Sequence, residues 1–116
     1  MSAADMTSKE DVIRRLADKT DFERDVLIAT FGIPKGKVST YRRMAEKIGR
    51  PHAYRAVGNA LHKNPLVPVV PCHRVVRSDG RIAGAGQSVE ARRRLLEREG
   101  IPLDGTTVKL SKEILY

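Results

Sequence analysis

Five small apolar residues, Ala53, Ala56, Val57, Ala60 and Leu61, recur at i, i+3, i+4, i+7 and i+8, which places them on one face of a helix. A stripe this narrow in side-chain volume makes the helix pack tightly against a neighbour. The preceding residues supply one: Ser39 can cap a helix with Met44, Ala45 and Ile48 on its inner side, Gly49 ends it, and Pro51 suits the first turn of the next. Two helices joined by a tight turn make a helix-turn-helix pattern. The outer face of its second helix holds Arg55, Gly58, Asn59 and His62. Arg55 and Asn59 can bond to DNA and Gly58 lets a backbone approach closely, although an ordinary solvated helix face would read the same way.

The flanking sequence adds further helices and a small amount of strand. Residues 1–7 are expected to be a flexible tail, and Ser8 offers a cap for a short helix carrying Val12, Ile13 and Leu16. Thr20-Asp21-Phe22-Glu23 is a capping box that opens a helix with Phe22, Val26 and Leu27 inside, stopping near Gly32. Residues 66–71 contain two prolines, too many for a central strand, and are expected to run extended through the interior. Val75 and Val76 on one side and Ile82 on the other flank Ser78-Asp79-Gly80, a hairpin signal. Ser88 can cap a last long helix that buries Val89, Leu95 and Leu96 and ends at Gly100, and 108–110 is one more possible strand. Residues 1–116 thus read as one domain, mainly α with a small β component.

Charge narrows the choice of partner. Lys and Arg total 22 against 14 Asp and Glu, a net charge of +8 on 116 residues, which favours a polyanion and above all nucleic acid, since such an excess can neutralise several phosphates. No apolar run reaches the length of a membrane span, and the polar first ten residues have no signal-peptide character. A cytoplasmic location follows as an expectation, nucleoid-associated, or nuclear in a eukaryote. The one cysteine cannot form an internal disulfide.

That cysteine sits in Pro71-Cys72-His73-Arg74-Val75, where a neighbouring imidazole and guanidinium can stabilise the nucleophilic thiolate. Taken alone, a single cysteine reads more readily as a small buried hydrophobe, which the adjacent His73 and Arg74 weaken without removing. With Arg55-Ala56-Val57-Gly58 and Asn64-Pro65 ahead of it in order, the segment resembles the active-site domain of O6-alkylguanine-DNA alkyltransferases over residues 22–100. The resemblance implies a winged-helix-like, helix-turn-helix DNA-binding domain that engages double-stranded DNA through the minor groove, flips the damaged nucleotide, and transfers its alkyl group once to Cys72. It implies that Tyr41 pushes on the phosphate beside the lesion and Arg55 enters the base stack. It further implies that a His73–water–Glu99 relay removes the thiol proton, that Asn64 braces the turn, and that Arg74 holds the segment and contributes to DNA binding with Gly58 and Asn59. Tyr41, Val75, Ala85 and Gly86 would form the substrate pocket. No cofactor and no metal are required, His52, His62, Cys72 and His73 lacking a zinc spacing, and a monomer is expected.

Two departures keep a second reading open. Ala85 stands where the family has an aromatic residue, which puts the range of alkyl groups in question. The short architecture and the tail from Glu99 to Gly105 are similar to the alkyltransferase-like proteins, which bind alkylated guanine without catalysis and recruit excision-repair proteins, but those carry Trp or Ala in place of the cysteine that this chain keeps.

Overall fold

The computed structural model describes residues 8–84 and 86–116; the expected tail at 1–7 and the departure at Ala85 lie outside the described residues. Five α-helices and two two-stranded ladders follow in the order α1 (Lys9–Arg15), α2 (Asp21–Phe31), β1 (Ser39–Thr40), α3 (Tyr41–Lys47), α4 (Tyr54–His62), β2 (Val75–Val76), α5 (Gln87–Arg98), β3 (Leu103–Asp104) and β4 (Thr107–Val108). A single 3-10 turn, Cys72–Arg74, precedes β2.

Local chemistry accounts for most helix boundaries. Ser8 accepts a bond from the Asp11 N–H at the head of α1, and Thr20 and Glu23 close a reciprocal capping box at the head of α2. At α3 the cap falls one residue later than the sequence suggests: Thr40 accepts from the Arg43 N–H, while Ser39 is drawn into β1. Similarly α4 begins at Tyr54, after a turn at Pro51 and His52, so Ala53 becomes its N-cap and Ala56 faces solvent. The buried stripe is therefore Val57, Ala60 and Leu61, packed with Met44 and Ala45 of α3 and Val26 and Leu27 of α2. Each of the fully buried Val, Leu and Met side chains among them contributes roughly 1.5–3 kcal/mol. Helix α5 starts one residue before Ser88, with Gly86 at φ 55° as its cap, and buries Leu96 completely while Val89 and Leu95 are only partly covered.

The β structure departs furthest from the sequence reading. The turn at residues 78–80 forms, closed by Gly80 N–H to Arg77 O (2.8 Å) and Arg77 N–H to Arg81 O (3.0 Å). No hairpin ladder follows from it. Val75 and Val76 pair in parallel with Ser39 and Thr40, and Ile82 donates instead to Thr106 O at 3.0 Å, because the β3–β4 hairpin lies beside the turn. Val108 N–H donates to Gly80 O at 2.8 Å; a Cβ at Gly80 would lie 2.3 Å from Val108 O, so this contact requires glycine. Residues 66–69 fold into a turn near the surface, with Val67 57% exposed, and only Val70 and Pro71 enter the interior. The last residues clamp the other edge of β1: Val38 donates to Ile114 O and Tyr116 donates to Val38 O, both at 2.8 Å. A second core, Val38, Val76, Ile82, Leu96, Ile101 and Val108, forms under this arrangement. The helix-turn-helix pair α3–α4 thus rests on one core, and the ladders and α5 on the other, with the cysteine turn between them.

Candidate active site

The cysteine turn is fixed from both ends. Upstream, Asn64 at the end of α4 donates from Nδ2 to Val70 O (2.8 Å) and accepts the Leu66 N–H on Oδ1 (2.9 Å), locking the intervening loop. Downstream, Val75 is tied into the parallel ladder. Between them the backbone tightens, Cys72 N–H donating to Val70 O and Arg74 N–H to Pro71 O, both at 2.9 Å. Cys72 is 7% exposed and forms part of the wall of a cleft of about 1040 Å³.

Behind the cysteine lies a triad of one buried and two largely buried polar side chains. His73 Nε2 is 2.8 Å from Glu99 Oε2, and Arg74 binds both oxygens of the same carboxylate, Nε to Oε1 at 2.9 Å and Nη2 to Oε2 at 2.8 Å. Its remaining nitrogen, Nη1, donates to Ile33 O at 2.7 Å. With all three guanidinium nitrogens engaged inside the protein, Arg74 is withdrawn from the DNA-binding set expected from sequence. The direct His73–Glu99 bond likewise stands where a water-bridged contact is expected from sequence, on a carboxylate that Arg74 holds from its other side. Glu99 feels opposing influences: burial raises its pKa, but the bonds from Arg74 and His73 outweigh it and hold the carboxyl below its ordinary value. Burial pushes the His73 imidazole below its ordinary value, against the pull of Glu99. A neutral His73 bonded to a carboxylate carries its proton on Nε2, which leaves Nδ1 as the basic nitrogen. That atom is buried and has no hydrogen-bond partner among the described residues.

The cleft in front of Cys72 is walled by α4 and by the segment after β2. From α4 it takes Arg55, Gly58, Asn59 and His62, the outer face identified from the stripe, together with Tyr54; from the later segment come Arg77, Ala83, Gly84 and Arg92. Tyr41 closes one end, its ring in position to touch a Cβ at Gly58 at 3.7 Å. Burial raises the Tyr41 pKa, so the phenol stays protonated and able to donate. No carboxylate borders the cleft among the described residues. Two residues expected in the pocket are elsewhere. Val75 is 2% exposed inside the core, and Gly86 caps α5 without bordering the cleft. Arg92, which donates to Ala83 O at 2.7 Å and so holds that wall, was not legible as a site residue from its surroundings. A signal did exist: Ser88, Arg92 and Glu99 are spaced i, i+4, i+11 and share a helix face. Among the described residues no group of His, Cys, Asp and Glu is arranged to hold a metal ion, and no helix is long and apolar enough to cross a membrane.

Comparison with known proteins agrees with this geometry. The methylated-DNA–protein-cysteine methyltransferase of Methanosarcina barkeri is 44% identical over 80 residues, covering 69% of this chain and 51% of that protein. The Mycobacterium tuberculosis OGT solved in complex with DNA superposes with a TM-score of 0.66 at 44% identity, over 69% of this chain and 50% of that one. The S. pombe Atl1 solved in complex with damaged DNA containing O6-carboxymethylguanine gives a TM-score of 0.73 at 32% identity, over 83% of this chain and 94% of that one. The chain spans about half the length of the curated relatives it matches. A family model described as the DNA-binding domain of 6-O-methylguanine DNA methyltransferase matches residues 21–101, and with the helix-turn-helix pair and the cysteine turn both inside that span, the chain belongs to this family.

Proposed function

We propose that the chain repairs DNA by accepting an alkyl group from O6-alkylguanine onto Cys72, once per molecule. The observation that carries this reading is the placement of Cys72 on the wall of a carboxylate-free cleft, with the buried His73–Glu99–Arg74 triad behind it. The guanine O6 is inaccessible within a base pair, so the nucleotide must leave the helix to reach the cleft. Arg55 and Asn59 on the exposed face of α4 would approach through the minor groove, where recognition is largely independent of sequence, Arg55 filling the space the nucleotide vacates.

In the transfer step the sulfur attacks the alkyl carbon. The S–C bond forms as the C–O6 bond breaks, and the electron pair leaves with the base, which takes up a proton. The thiol proton passes by way of an intervening water to His73 Nδ1, whose imidazole is neutral and whose other nitrogen is anchored by Glu99. Tyr41, protonated and lining the cleft, would donate to the departing base or press on the adjoining phosphate. Every group this step needs comes from one chain, so a monomer suffices, and the thioether formed has no second thiol to resolve it.

The deciding experiment is the intact mass of the protein after incubation with duplex DNA containing O6-methylguanine. The expected result is a gain equal to one methyl group on Cys72, absent in Cys72→Ser. The second reading, a lesion-binding protein that recruits excision-repair proteins, is favoured by one observation: the likeness to Atl1 extends over nearly all of that chain. Tight lesion binding with unmodified Cys72 and unrepaired DNA would select it.

A further inference from the structure

The arginines of this chain divide sharply by what they touch. Arg14, Arg24, Arg81, Arg93 and Arg94 pair with carboxylates, and Arg74 is held by Glu99. Arg42 and Arg50 lie against the rings of Tyr54 and Phe22, while Arg43 and Arg92 donate to the carbonyls of Tyr116 and Ala83. Arg55, Arg77 and Arg98 have no ion pair, side-chain hydrogen bond or ring contact among the described residues. Two of these three, Arg55 and Arg77, border the cleft that holds Cys72. They come from different segments, Arg55 from α4 and Arg77 from the residue following β2.

The backbone at Arg77 is built to hold its position. Its N–H is bonded to Arg81 O and its carbonyl accepts from Gly80 N–H, while Gly80 is pinned to β4 through Val108. The charge of Arg77 reaches the Tyr41 phenol across the end of the cleft. An exposed guanidinium on a rigid turn, beside a cleft with no carboxylate, has its five donors available for an external anion. Since Arg55 is taken up by the base stack, a nucleotide extruded into the cleft brings its own phosphodiester toward the remaining cation.

We propose that Arg77 is a lesion-specific phosphate clamp, which binds the phosphodiester adjoining the extruded nucleotide and so holds the alkylated base against Cys72. This inference rests on the transfer reading above and adds to it a contact made only after flipping. A guanidinium–phosphate pair is bidentate and charge-assisted, so its loss costs on the order of tenfold in affinity or rate.

The test compares wild type, Arg77→Ala and Arg77→Lys on two substrates: O6-methylguanine in duplex DNA, and the free base O6-benzylguanine, which has no phosphate. Mass gain on Cys72 is followed with time on both. The expected result for Arg77→Ala is a loss of about tenfold on duplex, at least fivefold greater than the loss on the free base, with partial recovery in Arg77→Lys. Binding to lesion DNA should lose about 0.9 from its salt slope, and binding to undamaged duplex should keep its slope. A neutral methylphosphonate at the linkage beside the lesion should abolish the difference between wild type and Arg77→Ala. Equal losses on duplex and free base, or the same slope change on undamaged DNA, would overturn the clamp. Either result leaves transfer to Cys72 standing, whereas no mass gain on either substrate in wild type would remove the transfer reading itself.

Discussion

Replacing Glu99 by Ala strands two buried partners at once. Arg74 and Glu99 are 16% and 10% exposed, and His73 is 3% exposed, so little water reaches the triad to take over the lost bonds. Glu99 receives three bonds, one from His73 and two from Arg74. Removing one member of a buried ion pair costs about 3–5 kcal/mol, because the other charge is left in a poorly hydrated site. A domain of this size has a total stability of only about 5–15 kcal/mol. With a urea m-value near 1.2 kcal/mol/M, a loss of about 3 kcal/mol lowers the unfolding midpoint by about 2.5 M. Urea titration monitored by circular dichroism measures this directly, and the cycle with Arg74→Ala and the double variant isolates the pair. Coupling of about 2 kcal/mol or more is expected, together with a transfer rate, corrected for folded fraction, that falls further in Glu99→Ala than in Arg74→Ala, since only Glu99 bonds His73. Single-variant costs below about 1 kcal/mol, or additive ones, would refute the argument that this triad is a desolvated unit.

Other consequences follow from the same geometry. Because burial lowers the His73 pKa, the unfolded chain binds its proton first as pH falls; stability is complete above about 6.5 and declines below it, by at most about 1.4 kcal/mol per pH unit for this group. Glu99, lowered in the folded state, contributes above the ordinary carboxyl range and is lost as pH falls through its folded value, so both groups weaken the protein in acid. Urea curves between pH 7.5 and 5.5 that show constant or rising stability would contradict this. Gly58→Ala places its methyl in ordinary contact with Tyr41, so the fold should hold or gain roughly 0.5–1 kcal/mol from helix propensity while duplex binding weakens; undiminished binding would mean that face does not meet DNA. Gly80→Ala, with φ at +91° and a Cβ 2.3 Å from Val108 O, should cost more than about 2 kcal/mol and lower the melting temperature by about 8 °C or more, as calorimetry would show.

What the sequence made legible was local. The capping box at Thr20 and the inner face of α4 at Val57, Ala60 and Leu61 each depend on residues three or four apart, and each is where spacing places it. The parallel pairing of Ser39–Thr40 with Val75–Val76 joins residues 36 positions apart, as Ser39↔Val75, with no local pattern to announce it. The hairpin expected at 78–80 failed for the same reason: a turn signal specifies a reversal, and Thr106 took the bond that the hairpin would have made. At the site, Cys72 and His73 were found through their neighbours in sequence, but the bond from His73 to Glu99 crosses 26 positions and rested on family resemblance until the geometry gave 2.8 Å.

Arg74 and Arg77 carry the lesson to its limit. They are the same residue type three positions apart in a basic segment, and charge counting treats them alike. The turn at Cys72–Arg74 directs Arg74 inward to a carboxylate delivered by the end of α5, and the following two residues of β2 carry the chain out to the cleft margin at Arg77. One guanidinium is engaged within the protein; the other, on the proposed reading, is left for the ligand. A basic net charge therefore does not measure DNA-binding capacity. On the proposed reading, the arginines that count are those the fold leaves without a partner beside Cys72.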